Sequence, residues 1–295
     1  MRLSFSIYNF PVLAILTFVF SQISDSGGEV DPGNLKPSTR PLIIAHRGAS
    51  ASAPENTLPA FRLAWELKAD AIEGDFHMTS DGQIVCIHDK DTQKVTGKKH
   101  KLVVKDTPLA ELRKLDVGSW FGEKWKDTKT PTLLEVLATV PKNKKIYVEI
   151  KCGPEVLAKL HEDLHASGLS DDQIVLISFN PEVVKRYKSR EPKRKAYWLT
   201  GIGKNKKGLR EPTLAKVLET LRATGADGVG SSGSALVDRK FVHDIQKAGF
   251  EYHVWTIDDP EAARHFRTLG AGSITTNKPG LIRKELFNVE AKQTP

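Results

Sequence analysis

From residue 41 onward the chain alternates two patterns of apolar and polar positions. Short runs of contiguous or alternating apolar residues read as strands: PLIIAH (41–46), AIEGDFHM (71–78), QIVCIH (83–88), KIYVEIK (145–151), QIVLISF (173–179), KAYWLT (195–200), ADGVGS (226–231), EYHVWTI (251–257) and GSITT (272–276). Between them lie segments with apolar residues three and four apart, the helical spacing: TLPAFRLAWELK (57–68), TLLEVLATV (132–140), EVLAKLHEDLHASG (155–168), PEVVKRYKSR (181–190), TLAKVLETLRATG (213–225) and PEAARHFRTLG (260–270). Asp259 before Pro260 has the form of a helix start, and Gly168, Gly225 and Gly270 stand where helices should stop. Strand and helix in regular alternation, in about eight units over roughly 250 residues, predict a TIM-type (β/α)8 barrel, an α/β fold. An open doubly wound sheet is the second choice, and no GxGxxG turn supports it. The rhythm breaks at residues 88–131, where a hairpin-like stretch and one short helix replace a clean unit. In a barrel this short insertion after the second strand would overhang the mouth, on the substrate side.

The N-terminus has a different pattern. Arg2 precedes the apolar stretch FPVLAILTFVF, which ends near Ser21, with Val19 and Ser21 as small residues before a cleavage point; a polar, Gly-containing stretch follows. This predicts a secretory signal peptide (1–21), a linker (22–40), a barrel domain (41–288) and a tail (289–295), hence an exported protein, periplasmic or secreted. The apolar run falls short of the ~20 residues a membrane span needs, so no stable membrane insertion is expected after cleavage. With only Cys86 and Cys152, one intramolecular disulfide is the maximum, and strand parity places the two thiols on opposite sides of a sheet.

Composition adds one bias. Lys and Arg number 44 against 36 acidic residues, for a formal charge of +8, which favours anionic ligands such as phosphates. The basic runs GKKHK (97–101) and GKNKKG (203–208) lack the interleaved aromatics of a base-stacking surface and read as solvated loops, so no nucleic-acid partner is expected.

The candidate chemistry lies at strand ends. In AIEGDFH the period of two puts Glu73, Asp75 and His77 on one face, and YVEIK repeats the device with Glu149 and Lys151. Carboxylates pointing into a barrel need compensation. One solution is a divalent ion, Ca²⁺ or Mg²⁺, on Glu73, Asp75 and Glu149, with water completing the shell. The other is a buried salt-bridge cluster, Glu149 with Lys151 and Asp75 with Arg47. His46 and His88 end apolar strands, at the rim where barrel active sites form. Two imidazoles, an acidic metal set and the cations Arg47 and Lys151 together suit phosphodiester hydrolysis.

At these residues the sequence resembles the glycerophosphodiester phosphodiesterase family. The likeness is carried by HRG (46–48) with PENT (54–57), EGD (73–75), TSDGQIVCIHD (79–89), VEIK (148–151), ISFNPEVV (177–184), VWTIDD (254–259) and ITTNKPG (274–280), in order over residues 42–283. The resemblance implies a TIM-type barrel with one divalent ion on Glu73, Asp75 and Glu149. It further implies His46 and His88 as the acid/base pair, Arg47 and Lys151 on the phosphate, Glu55 and Asn56 in support, and Trp255 walling the alcohol side. The implied reaction releases sn-glycerol 3-phosphate and an alcohol from a small glycerophosphodiester, in glycerol and lipid metabolism, with His46 favoured as base and His88 as acid. A lysophospholipase D-like specificity and a non-catalytic barrel that binds phospholipid headgroups are the alternatives. Two positions depart from the family pattern: Asn277 stands where aspartate is usual, and His77 where glutamine is common.

One motif points elsewhere. HEDLH (161–165), continued to Asp171, matches the HExxH zinc-protease signature. It sits on an amphipathic pattern of Val156, Leu157, Leu160 and Leu164 that reads as a barrel-wall helix, and no methionine follows Met78 to supply a Met-turn. The protease reading is therefore set aside.

Overall fold

Eight parallel strands form a closed ring: β1 (Leu42–Ala45), β2 (Ala71–Met78), β4 (Lys145–Ile150), β5 (Ile174–Ser178), β6 (Lys195–Thr200), β9 (Gly228–Ser232), β10 (Glu251–Trp255) and β11 (Ser273–Thr276), with β1 pairing both β11 and β2. The computed structural model describes residues 40–287, so the expected signal segment, nearly all of the linker, and the tail lie outside it. The barrel is the architecture that the alternation predicts. The helices around it are α1 (Leu58–Glu66), α2 (Leu109–Leu112), α3 (Leu133–Leu137), α4 (Leu157–Ala166), α5 (Pro181–Arg190), α6 (Leu214–Thr224), α7 (Arg239–Lys247), α8 (Pro260–Leu269) and α9 (Pro279–Phe287).

Strand parity builds two apolar layers. Side chains such as Ile43, Ile72, Phe76, Ile146 and Ile274 face the helices and form the main core with Phe61, Leu160, Val184 and Phe241. Ile44, Ala71, Tyr147, Val175, Tyr197 and Leu199 fill the barrel interior. Glu73, Asp75 and His77 share the parity of Ala71, so the interior layer that begins apolar at the bottom becomes acidic toward the C-terminal rim. Local signals fix the helices that follow. Thr57, Asn180, Thr213, Asp238 and Asp259 each cap a helix by accepting a backbone N–H, and α3 carries a full capping box between Thr132 and Glu135.

Several elements differ from the sequence pattern. QIVCIH supplies β3 (Ile84–Cys86), which is no barrel stave; it runs antiparallel to β2, pairing Phe76 with Cys86 and Met78 with Ile84. Helix α7 went unread because only Phe241, Val242 and Ile245 of RKFVHDIQK are apolar, yet those three are fully buried and suffice as a stripe. Helix α9 was likewise unread. The basic run at 203–208 opens an exposed two-stranded hairpin, β7 (Gly203–Lys204) with β8 (Arg210–Glu211), rather than a plain loop. Residues 88–131 hold a small core of their own, with Val95, Val104, Leu112, Leu115 and Val117 packed on Val85 and Ile87. Both cysteines are free. The parity argument for them fails, however, since Cys86 lies in the helix-side core and Cys152 packs against that same layer. Among the described residues no helix is long and apolar enough to cross a membrane.

Candidate active site

Strand register brings the three predicted carboxylates together. β2 and β4 are aligned with Asp75 opposite Glu149, and Glu73 lies one pleat below on the same face. Oxygens of Glu73, Asp75 and Glu149 lie within 4.8 Å of one another, and all three residues are buried. Gly74, between two of them, faces the helix side, where a Cβ would lie 3.1 Å from both Cys86 Sγ and the Phe61 ring. Glycine thus lets α1 and β3 close against this stretch of strand.

Both cations of the salt-bridge alternative are present too. Arg47 Nε lies 3.1 Å from Asp75 Oδ2, and Lys151 Nζ lies 2.7 Å from Glu149 and 3.5 Å from Asp75. They do not exhaust the acids: Glu73 Oε1 and Asp75 Oδ1 are buried with no hydrogen-bond partner. Burial, Asp75 and Glu149 push the Glu73 carboxyl well above the usual range, and burial with Asp75 beside it pushes Glu149 up to about 7. Asp75 behaves oppositely; despite its burial, Arg47 and Lys151 hold it below the ordinary value. Lys151 is the one cation beside Asp75 Oδ1, at 3.5 Å and short of a hydrogen bond, so with all three carboxylates ionised the two cations leave the cluster one positive charge short. The donor set, all oxygen, fits a hard divalent cation.

Local backbone strain shapes the phosphate side. Arg47 and Asn56 both take positive φ, 54° and 58°, uncommon for residues with a Cβ. Gly48 follows at φ 80°, and a Cβ there would sit 2.6 Å from the Ala60 carbonyl carbon, so only glycine closes this turn onto α1. The turn directs Arg47 N–H at Glu73 Oε2 (2.8 Å) and the Arg47 guanidinium at Glu55 (3.1 Å). Asn56 clamps Asp75, donating Nδ2–H to Oδ2 at 2.8 Å and accepting Asp75 N–H at 3.1 Å. Glu55 also takes Lys94 from the insertion at 2.8 Å.

The two histidines reach the rim by different routes. β1 pairs Ala45 with Thr276, which puts His46 level with Asn277, and the two side chains meet at 2.7 Å. Asn277 Nδ2 donates to Asp258 at 2.6 Å, while its backbone N–H and Thr276 Oγ1 also donate to that carboxylate. A carboxylate only accepts, so the amide nitrogen faces Asp258 and the amide oxygen faces His46. His46 Nδ1 must therefore carry the proton, which leaves Nε2 as the free lone pair of the neutral ring. Burial, and then Arg47, lower the pKa of His46 and keep it neutral. His88 returns on the β3 segment, whose antiparallel run carries the chain back down to Asp75; Ile87 N–H donates to the Asp75 carbonyl. The His88 Nδ1 is 2.7 Å from Asp89, and its carbonyl is held by His77 Nε2 at 3.2 Å.

A cavity of about 150 Å³ at the top of the barrel is lined by His46, Arg47, Glu73, His88, Lys151 and Trp255, among others. Lys151 also lines two wider clefts, of about 740 and 1010 Å³, bordered by insertion lysines Lys90, Lys94 and Lys105. Trp255 is half-buried and meets Phe179 edge-on with ring centroids 5.4 Å apart. Sequence reading missed Phe179, Lys94 and Asp258. Phe179 and Asp258 fall inside the quoted ISFNPEVV and VWTIDD stretches, but only the folded register shows what they touch.

A model of the glycerophosphoryl diester phosphodiesterase family matches residues 46–281. The chain belongs to the glycerophosphoryl diester phosphodiesterase family. A glycerophosphodiester phosphodiesterase of Bacillus subtilis is 30% identical over 289 residues, covering 92% of this chain and 94% of the relative. One of Caldanaerobacter subterraneus is 33% identical over 82% of this chain and 98% of its own length. Among solved structures, an Oleispira antarctica phosphodiesterase in complex with the product sn-glycerol-3-phosphate matches with a TM-score of 0.75 at 27% identity, over 83% of this chain and 96% of that one. As a member of the family the protein is a phosphoric diester hydrolase. Every site residue expected from the resemblance lies at or beside this rim, and the two departures stay inside its hydrogen-bond network: Asn277 with the Asp258 charge behind it, His77 beneath the His88 backbone.

Proposed function

We propose that the enzyme hydrolyses small glycerophosphodiesters to sn-glycerol 3-phosphate and an alcohol with the help of one divalent ion, Ca²⁺ or Mg²⁺, and that it does so after export, in glycerol and lipid metabolism. The supporting observation is the buried Glu73–Asp75–Glu149 triad with two undonated oxygens, flanked by His46 and His88 in one cavity. The product bound to the Oleispira antarctica relative supports the glycerol phosphate half of the substrate.

Glu73, Asp75 and Glu149 would hold the ion, which when bound supplies positive charge against the phosphoryl oxygens and orients the diester. Arg47 and Lys151 neutralise charge that develops on the remaining oxygens. His46, neutral and with Nε2 unprotonated, takes a proton from the attacking water or, in a two-step route, from a substrate hydroxyl that closes a cyclic phosphate which water then opens. His88, its Nδ1 engaged by Asp89, gives a proton to the departing alkoxide. Trp255 and Phe179 form the apolar wall for the alcohol.

A coupled assay for released glycerol 3-phosphate, run over a panel of choline, ethanolamine, glycerol, inositol and lysophospholipid diesters with chelator and metal add-back, tests the reading. We expect turnover of at least one small headgroup diester, lost with chelator and restored by Ca²⁺ or Mg²⁺. Turnover indifferent to chelation would remove the triad's assigned role, and binding without turnover would favour a headgroup-binding barrel. Recovery of the enzyme itself in culture supernatant or periplasmic fractions checks export.

The Asn277–Asp258 pair makes a separate forecast. Asp258→Asn removes the acceptor that orients Asn277, so His46 loses its fixed tautomer. kcat should fall about 10- to 100-fold, in the range seen when an orienting partner of a functional histidine is lost, with KM little changed. Adding Asn277→Asp to that variant puts a carboxylate directly on Nδ1 and should recover most of the rate; no recovery would reduce Asp258 to a fold element.

A further inference from the structure

On the outer wall of the barrel the two histidines of HEDLH meet a third polar group that the sequence motif does not contain. His161 and His165 lie one helical turn apart on α4, with ring centroids separated by 4.2 Å. Both aim at one oxygen of Glu191, the residue that ends α5: His161 Nδ1 is in hydrogen-bond contact with Glu191 Oε1, and His165 Nε2 is 3.2 Å from the same atom. Ligand atoms of the three residues all fall within 4.8 Å of one another. Bonds of about 2.0–2.2 Å at tetrahedral angles put zinc donors roughly 3.4 Å apart, so small side-chain rotations suffice to enclose an ion.

We infer that His161, His165 and Glu191 form a second metal site, suited to Zn²⁺ or a similar borderline transition-metal ion, which ties α4 to the end of α5. Two imidazoles with a single carboxylate are the donors such ions prefer, in contrast to the all-oxygen triad at the barrel mouth. Each ring need only carry its proton on the other nitrogen. Arg194 reaches Oε2 at 3.6 Å and leaves Oε1 to the histidines. The His165 side chain is 54% exposed, so water has access to the fourth position. Glu162, the general base of a true HExxH enzyme, takes no part. It is 69% exposed and paired with Lys159 at 3.8 Å, which makes this a staple and not a protease centre.

The test uses the full, tag-free chain saturated with Ca²⁺ and dialysed against Zn²⁺ at about pH 7.5. Wild type should take up zinc with a rise in Tm, by preferential binding to the folded state. His165→Ala, an exposed substitution, should bind that zinc at least tenfold more weakly and lose the Tm rise, with phosphodiesterase activity and zinc-free Tm unchanged; His161→Gln should act the same way. Equal zinc binding in wild type and both variants would overturn the site. So would zinc that stays in His165→Ala but is lost in Glu149→Gln, since it would then belong to the barrel mouth.

Discussion

Alanine at His46 is expected to lower kcat/KM by ~10³-fold, within the 10²–10⁴ range of a positioned proton-transfer group, and alanine at His88 by a similar factor. The two losses should separate in their pH profiles. In the proposed mechanism His46 acts as the unprotonated ring, and burial together with Arg47 keeps it so to lower pH than a free imidazole. Wild-type kcat/KM should therefore hold its plateau below the ordinary histidine value of 6.5, and His46→Ala should erase that acidic limb. Diesters with a good leaving group such as p-nitrophenol need little protonation of the departing oxygen, so on them His88→Ala should recover much of its rate while His46→Ala stays impaired. The opposite pattern on the activated substrate would exchange the two roles.

The second large effect concerns the triad. Glu149→Gln should weaken metal affinity by at least ~100-fold and depress turnover comparably, yet the same change should stabilise the metal-free protein at neutral pH. Glu149 ionises near 4.5 in the unfolded chain but is pushed up to about 7 in the fold, by burial and by Asp75. Between those values the unfolded state has released a proton that the folded state still holds, so the folded wild type loses stability as pH rises from about 4.5 to about 7. Glutamine keeps the neutral form throughout. In chelator, the melting temperatures of wild type and variant should thus differ little at pH 4.5, with the variant higher at pH 7; Ca²⁺ or Mg²⁺ should then raise wild type and leave the variant where it is. A variant less stable than metal-free wild type at pH 7 would show that the Glu149–Lys151 pair, and not the wish for a cation, governs this corner of the site.

Much of this was readable from periodicity alone. The alternation of strand and helix gave the barrel, and the period of two gave the inward face of Glu73 and Asp75 before any contact was known. Glu149 joined them through the parallel β2–β4 register, which the repeated carboxylate spacing anticipated. His88 was found as a strand-end histidine, but its strand is an antiparallel return outside the ring, and no periodicity distinguishes such a run from a stave. Asp258 escaped notice because its role depends on a contact across β10 and β11, 19 residues from Asn277. Helix α7 escaped for energetic reasons: three buried side chains and a capping Asp238 are enough to hold nine residues that are mostly polar.

The separate small core of residues 88–131 has one more consequence. His88 is delivered by the same appendage that carries Lys90, Lys94 and Lys105 into the outer clefts, and is not rooted in the ring of staves. A module exchange between relatives that swaps this appendage would transplant the lysine-lined clefts and one imidazole in a single piece, while the three buried acids stay with the recipient scaffold.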